Sequence, residues 1–240
     1  MREAIQKFCL KLGYEIRKYA DPFQAQQQLL SCTANPVIFD VGAYHGYITS
    51  KYKSLFPTAQ IYSFEPFTES FAILEKRTQN NPDIHSYNLA LSNKTGTAEF
   101  RINSSAETNS LFATDTNAAN SWGAGLMETH NVVTVNTTTL DEFVDTHRIE
   151  KIDLLKIDVQ GAEYLVLEGA QKTLAKNSIK IIYSEIITTA TYENQKNFSE
   201  IVSLFYNFGF ELYNFYNIYP TKRQIMTMDA IFVRKQPNQK

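Results

Sequence analysis

Residues 37–52, VIFDVGAYHGYITSKY, leave few folds open to this chain. A strand-like run contains Asp40, and Gly42 and Gly46 then flank a bulky triplet before a helix-like segment begins. A glycine-punctuated turn between a strand and a helix is typical of α/β proteins, in which a ligand lies against the turn. The segment therefore predicts an α/β fold with a ligand site at this turn.

The rest of the chain alternates between strand-like and helix-like segments. Further strands are expected at 60–66, 85–92, 152–159 and 179–186, and helices at 47–56, 67–81, 161–177 and 194–207. Two later runs, FELYNFY and DAIFVRK, should pair antiparallel. Strands separated by helix-length segments favour a parallel sheet covered on both faces. We therefore predict a mostly parallel seven-stranded sheet with an antiparallel edge strand and helices on both faces.

Two stretches depart from this alternation. Residues 1–35 form a helical segment before the main domain, 36–240, and their apolar positions 5, 8, 9, 12, 16 and 19 make a helical stripe. We expect this helix to pack on the domain, with a lid, a homodimer contact or a membrane-surface helix as alternatives. Residues 93–139 contain two strand-like runs around a polar loop, a β-hairpin-like excursion expected to cover something.

The composition removes several classes of protein. The 240 residues are 43% hydrophobic and 20% charged, as in a globular domain, and a net charge of -2 does not favour nucleic acid. Cys9 and Cys32 lack the spacing of a disulfide framework or a zinc site. No apolar run reaches the roughly 18 residues of a membrane span, and no cleavage site follows the basic start. We therefore expect a cytoplasmic protein with no transmembrane segment.

Three classes of ligand use a glycine turn at this place in a sheet. A phosphate-binding NTPase loop needs GxxxxGK, and this turn has no such lysine. A dinucleotide site needs GxGxxG, and Tyr44 obstructs the approach of the pyrophosphate where the second glycine should be. S-adenosylmethionine needs an acid for its ammonium and another for its ribose diol. Asp40 and Glu65, at the ends of the first two strands, match those needs, and the adenine is expected near residues 88–90.

Five motifs resemble the FkbM family of class I methyltransferases. They are DVGAYHG at 40–46, FEP at 64–66, NLALS at 88–92, TLDEF at 139–143 and LLKIDVQGAEYLVLEGA at 154–170. The likeness spans residues 37–187, and the family's usual DVGAN and DVEG are changed here at Tyr44 and Gln160. The resemblance implies a Rossmann-like fold, S-adenosylmethionine as cofactor, and methyl transfer to a hydroxyl of a sugar, glycan or secondary metabolite.

Two groups of binding residues follow from this interpretation. The expected cofactor contacts are Asp40, Gly42, Ala43, Tyr44, Gly46, Thr49, Glu65, Pro66, Asn88, Leu89, Ala90, Asp158 and Val159. The expected acceptor contacts are Lys156, Gln160, Ser110 and Trp122. Ser110 and Trp122 belong to the loop 104–125, which is the expected substrate lid. Trp122 either stacks on the acceptor or anchors the loop to the domain.

Methyl transfer to a hydroxyl benefits from a base near the reacting carbon. Asp158 and Glu185 fall at the carboxyl ends of the fourth and fifth strands, where they would face the cofactor. Asp158 fits three roles: base, acceptor of the cofactor ammonium, or helix cap. His45, between the glycines, is the other candidate base. Asp158 and Glu185 together could hold Mg²⁺, but no third ligand is evident, so we predict no metal site.

Two rival functions remain open at this point. The first is an NAD(P)-dependent oxidoreductase, against which Tyr44 argues. The second is a non-catalytic scaffold that keeps the fold, against which the set Asp40, Gly42, Glu65 and Asp158 argues. The sequence does not identify the acceptor, which we expect to be a small molecule or a glycan.

Overall fold

The computed structural model describes residues 2–14, 20–176 and 178–235, and not the side chains of residues 2 and 3. The strands are β1 Val37–Val41, β2 Gln60–Phe64, β3 Ile84–Tyr87, β4 Ala90–Leu91, β5 Gly96–Asn103, β6 Thr129–Thr138, β7 Ile152–Ile157, β8 Ile179–Ile187, β9 Phe210–Pro220 and β10 Ile225–Arg234. The helices are α1 Arg2–Lys11, α2 Pro22–Leu29, α3 Tyr47–Leu55, α4 Thr68–Thr78, α5 Ala119–Trp122, α6 Leu140–Thr146, α7 Glu163–Glu168, α8 Gln171–Ala175 and α9 Phe198–Asn207.

Seven strands form the main sheet in the order β3-β2-β1-β7-β8-β10-β9. The strands from β3 to β8 in this order are parallel, and β10 is antiparallel to both of its neighbours. This is the Rossmann-like class I methyltransferase arrangement that the sequence predicts, with the antiparallel strand one place inside the edge. The strand order reverses between β1 and β7, so a ligand is expected at their carboxyl ends.

Helices cover both faces of the main sheet. On one face, the apolar residues of α6 to α9 pack with β1, β7 and β8, as Phe143 and Phe205 illustrate. On the other face, α2 and α3 contribute Phe23 and Tyr52, whose ring centroids lie 5.7 Å apart. The helix α2 is therefore part of the core although it precedes the first strand.

The apolar stripe of the first helix does not pack on the domain. Ile5, Phe8 and Leu12 are 49%, 62% and 59% exposed. Positions 16 and 19 of the stripe lie outside the described residues. The prediction of packing on this chain's own core is therefore wrong for the described part of the stripe. Among the described residues, no helix has the length and apolar character that crossing a membrane requires.

Two segments break where the sequence predicts continuity. The expected strand 85–92 splits into β3 and the short β4, which pairs with β6 in a second sheet of order β4-β6-β5. The expected helix 161–177 splits into α7 and α8 at Gly169, where a Cβ atom would lie 2.0 Å from the carbonyl oxygen of Ser92. Its last residue, 177, is not described. The strand therefore divides where β4 joins the second sheet, and the helix divides where Gly169 packs against Ser92, the residue after β4.

The second sheet carries the excursion over the main sheet. β5 and β6 pair antiparallel, as the hairpin-like pattern predicts. Between them lie one turn of 3-10 helix, Ala106–Thr108, and the short helix α5. Thr108, Asn109 and Trp122 from this connection line the cavity described next. The excursion therefore does cover something, as expected.

Candidate active site

A cavity of about 430 Å³ lies at the carboxyl ends of β1, β2, β7 and β8. This volume is within the range of roughly 300–1,000 Å³ that is usual for small-molecule sites. The residues predicted from the sequence that line it are Gly42, Ala43, Tyr44, Glu65, Pro66, Leu89, Ala90, Trp122, Lys156, Asp158, Val159, Gln160 and Glu185. The structure therefore brings most of the predicted binding residues together in one place.

The glycines of the β1 turn are required by packing. Gly42 has φ +76°, and a Cβ atom there would lie 1.8 Å from the carbonyl oxygen of Asp158. Gly46 has φ +78°, and its Cβ atom would lie 2.7 Å from Cδ1 of Leu74. Only glycine adopts this backbone region without a steric cost and also allows these approaches. Gly42 lets the turn after β1 touch the turn after β7, and Gly46 seats α3 against α4.

Glu65 presents a carboxyl group to the cavity at the end of β2. It is 6% exposed, and its Oε2 and Oε1 accept hydrogen bonds from the backbone N–H groups of Tyr44 (2.9 Å) and Phe67 (3.0 Å). Burial raises the pKa of Glu65 to about 7, although these two hydrogen bonds and Lys156 act in the opposite direction. Each oxygen keeps a further lone pair, so the group can also accept hydrogen bonds from a diol.

Asp40 lies beneath the cavity and does not line it. It is fully buried, its Oδ1 is 3.0 Å from Nζ of Lys156, and its Oδ2 accepts a hydrogen bond of 2.6 Å from Thr49. Asp40 and Lys156 are register partners on β1 and β7. Asp40 and Thr49, both predicted to contact the cofactor, therefore do not line the cavity: Asp40 is in a buried ion pair, and Thr49 donates a hydrogen bond to it.

Lys156 connects this ion pair to the cavity. Its ammonium also donates to the carbonyl oxygen of Gly42 at 2.7 Å and lies 3.7 Å from Oδ2 of Asp158. Burial acts to lower the pKa of Lys156, but Asp40 and Asp158 together hold it above its ordinary value. Lys156 therefore remains a buried cation between two carboxylates.

Asp158 and Glu185 face the cavity from adjacent strands, as the sequence predicts. The amide nitrogen of Gln160 joins them, at 3.0 Å from Oδ1 of Asp158 and 2.8 Å from Oε2 of Glu185. Burial, and next the charge of Asp158, raise the pKa of Glu185 well above its ordinary value. Burial and a neighbouring like charge therefore act on the pKa of Glu185 in the same direction.

Four other predicted site residues do not line the cavity. The ring of His45 stacks on Tyr44 at 3.6 Å, and its carbonyl oxygen accepts from Arg77, so we do not retain it as a base. The amide of Asn88 donates to the carbonyl oxygens of Glu65 and Pro66, both at 2.9 Å. These bonds fix the end of β2. Gly46 allows α3 to pack closely against α4. The hydroxyl of Ser110 donates a hydrogen bond of 2.7 Å to the carbonyl oxygen of Gln160.

Trp122 anchors its loop, and its stacking on the acceptor stays a prediction. Its indole N–H donates to the hydroxyl of Thr191 at 2.9 Å, and the residue also lines the cavity. This hydrogen bond anchors the connection between β5 and β6, which we call the covering loop.

Among the described residues, no group of three or more His, Cys, Asp or Glu side chains is arranged to hold a metal ion.

Sequence reasoning missed Asn109, which lines the cavity, and Glu163, a buried acid that holds the turn after β7. Asn109 is 9% exposed and lines the cavity; its Oδ1 accepts from the backbone of Asn103 at 2.8 Å. Its Nδ2 has no hydrogen-bond partner among the described residues, so it is a buried donor available to a ligand.

Glu163 is buried, and its Oε1 accepts hydrogen bonds from the backbone N–H groups of Val159 (3.1 Å) and Gly161 (3.2 Å). Burial raises the pKa of Glu163 to about 7. A carboxylate two residues after a glycine was the available signal for Glu163, whereas a loop asparagine gives none.

The chain is similar to proteins of known description. It is 27% identical over 215 residues to the 2-O-methyltransferase NoeI of Sinorhizobium fredii (strain NBRC 101917 / NGR234), covering 85% of this chain and 86% of that protein. Among solved structures, it is similar to precorrin-6y C5,15-methyltransferase from Geobacter metallireducens GS-15, with 11% identity, a TM-score of 0.49 and 91% and 94% of the two chains covered. An rRNA methylase from Streptococcus thermophilus has the same identity and TM-score, with 92% and 100% covered.

The family comparison covers the whole site from β1 to β9. The family described as the methyltransferase FkbM domain matches residues 40–212, which is more than half of the chain. Its members transfer methyl groups, so the rival interpretation as a dinucleotide oxidoreductase is set aside. The chain therefore belongs to the FkbM family and is an S-adenosylmethionine-dependent methyltransferase.

Proposed function

We propose that this methyltransferase acts on a hydroxyl group of a sugar or glycan. The observation that carries the proposal is the carboxyl pair Asp158 and Glu185 on the cavity wall, with the pKa of Glu185 raised. A hydroxyl must lose its proton as it is methylated, and a carboxylate of raised pKa is a stronger proton acceptor than an ordinary one. The similarity to a 2-O-methyltransferase supports an oxygen as the acceptor atom.

The residues of the cavity fit S-adenosylmethionine. Glu65 can accept from its ribose hydroxyls, the apolar side chains of Leu89 and Ala90 suit its adenine, and the unpartnered Nδ2 of Asn109 offers a donor to it or to the acceptor. When bound, the cofactor supplies a methyl group on a positively charged sulfur. Gly42 lets the turn after β1 touch the turn after β7, so that Asp158 and Val159 reach the cavity wall.

The chain's own part in the reaction is to orient the acceptor and to accept its proton. We assign the proton to Glu185, whose carboxyl group is raised in pKa by burial and by Asp158. Asp158 stays next to the ammonium of Lys156, which limits its repulsion from Glu185. Trp122, whose N–H is held by Thr191, presents an indole ring on which the apolar face of a sugar can lie.

A panel of acceptors tests the proposal. The purified protein is incubated with S-adenosylmethionine labelled in its methyl group and with neutral mono- and oligosaccharides, catechols and small amines. We expect label in saccharides, and mass spectrometry should place it on an oxygen. Label confined to amines, or to catechols only, would contradict a sugar hydroxyl as the acceptor. A reaction without the protein is the control for non-enzymatic transfer.

A further inference from the structure

The side chain of Gln160 stands between the two carboxyl groups of the site. Its Nε2 lies 3.0 Å from Oδ1 of Asp158 and 2.8 Å from Oε2 of Glu185. Its Oε1 accepts a hydrogen bond of 2.9 Å from the hydroxyl of Tyr192. The reversed amide would place a carbonyl oxygen against two carboxyl oxygens, so this orientation is the one that satisfies every partner. Each carboxyl group therefore receives one of the two amide hydrogens.

The backbone of Gln160 is fixed as firmly as its side chain. Its φ is +53°, and it is followed by Gly161 at +89°, so two successive residues are in the left-handed region. A Cβ atom on Gly161 would lie 2.6 Å from the ring of Tyr192, and the carbonyl oxygen of Gln160 accepts from Ser110 at 2.7 Å. A non-glycine residue at positive φ costs free energy and persists where its surroundings hold it. The surroundings here are the covering loop and Tyr192.

We propose that Gln160 is a positioning residue, which holds Asp158 and Glu185 as one oriented pair by donating a hydrogen bond to each. The role of this pair as a proton acceptor rests on the proposed function, but the pairing itself does not. Two carboxyl groups at one site repel each other when both are ionised, and a donor shared between them offsets that repulsion. A hydrogen bond to an ionised carboxyl group is also among the stronger kinds in proteins.

The surroundings of Glu185 make this donor matter. The titratable groups that face it from the neighbouring elements are Asp158, Glu163, Asp229, Lys156 and Tyr192. Three of them are carboxyl groups that raise the pKa of Glu185, and Lys156 is the cation that lowers it. A hydrogen bond from Gln160 to ionised Glu185 lowers the pKa of Glu185, as Lys156 does. Its loss should therefore raise the pKa of Glu185 further.

The test is a carboxyl titration by NMR, which needs no acceptor. Glutamate labelled with ¹³C at Cδ is followed from pH 5 to 10 in the full chain, and Glu185→Gln identifies the signal of Glu185. In Gln160→Met, which keeps the length of the side chain without its donors, the pKa of Glu185 should rise by about 1. Gln79→Glu, at an exposed position, adds a charge elsewhere and should leave the pKa unchanged.

A second variant keeps the test open if Gln160→Met does not fold. Gln160→Glu preserves the shape and replaces the donor by a third carboxyl group, so the pKa of Glu185 should rise at least as much. At a pH well below the pKa of Glu185, turnover should fall about tenfold in either variant when that pKa rises by about 1, because the ionised fraction falls by that factor, while affinity for S-adenosylhomocysteine stays within about threefold. An unchanged pKa in both variants would overturn the inference even with normal methyl transfer. A raised pKa in a protein that methylates no hydroxyl would instead refute the proposed function and leave the pairing intact.

Discussion

The turns after β1 and β7 lie side by side and look alike in sequence, but their acids have different surroundings. Each strand is followed by a turn with two or more residues at positive φ, among them Gly42 and Tyr44 in one and Gln160 and Gly161 in the other. Asp40 is fully buried against Lys156, whereas the side chain of Asp158 is 41% exposed and faces the cavity. The acid of β1 therefore belongs to an ion pair in the core, and the acid after β7 belongs to the cavity wall.

The difference comes from strand register. Asp40 pairs with Lys156, so Gly42 is the residue level with Asp158. Two residues along a strand keep a side chain on the same face but move it by about 6–7 Å. On these two strands, Asp40 inside β1 therefore lies below the level of the cavity, and Asp158 just after β7 lies beside it.

The largest effect should come from removing the cation of the buried pair. Lys156→Met leaves the buried carboxylate of Asp40 without its counter-ion, which should lower the free energy of unfolding by about 3–5 kcal/mol. Urea unfolding followed by circular dichroism measures it. Lys172→Met, at an exposed lysine, is the control and should change the free energy by less than about 0.5 kcal/mol. Equal small losses of unfolding free energy in both variants would contradict the structural role given to Asp40.

The next effect should fall on catalysis and spare stability. Glu185→Gln keeps the hydrogen bond to Gln160 possible but removes the proton acceptor, so turnover on the saccharide that the panel identifies should fall about 100-fold. Affinity for S-adenosylhomocysteine, measured by calorimetry, should stay within a few-fold. Unchanged turnover in this variant would contradict a catalytic base at Glu185 and show that holding the acceptor next to the methyl group is sufficient for transfer.

A smaller effect concerns the ribose end of the cavity and its pH dependence. A diol binds ionised Glu65 more tightly, and the pKa of this group is about 7. Affinity for S-adenosylhomocysteine should therefore rise as the pH is increased from 6 to 8, by up to about tenfold, and level off above that range. Glu65→Gln should bind more weakly above pH 8 and show little dependence on pH. A flat profile in the unchanged protein would contradict the ribose assignment.

The smallest effect should appear in Asp158→Asn. Removal of this charge lowers the pKa of Glu185, so the acidic limb of the turnover profile should move to lower pH. Turnover at neutral pH should change only a few-fold. Because Asp158 is partly exposed, the free energy of unfolding should stay within about 0.5 kcal/mol. A large loss of stability would instead place Asp158 in the same class as Asp40.

Much of this arrangement is predictable from the sequence, for identifiable reasons. The alternation of strand-like and helix-like segments and the position of the glycines predict the parallel sheet. Residues just after the parallel strands, such as Glu65 and Asp158, must then meet at one edge. The depth of Asp40 is not predictable, because register with Lys156 depends on how β1 and β7 pair. Asn109 is held by a long-range fold of the covering loop, and no local pattern places it.

The most direct test of the account is a crystal structure of the protein with S-adenosylhomocysteine. We expect its ribose hydroxyls within hydrogen-bond distance of Glu65, and its sulfur on the side of the cavity formed by Asp158 and Glu185. Asp40 should remain paired with Lys156 and make no contact with the ligand. An amino group of the ligand bound to Asp40, with Lys156 displaced, would contradict the division of roles between the two turns.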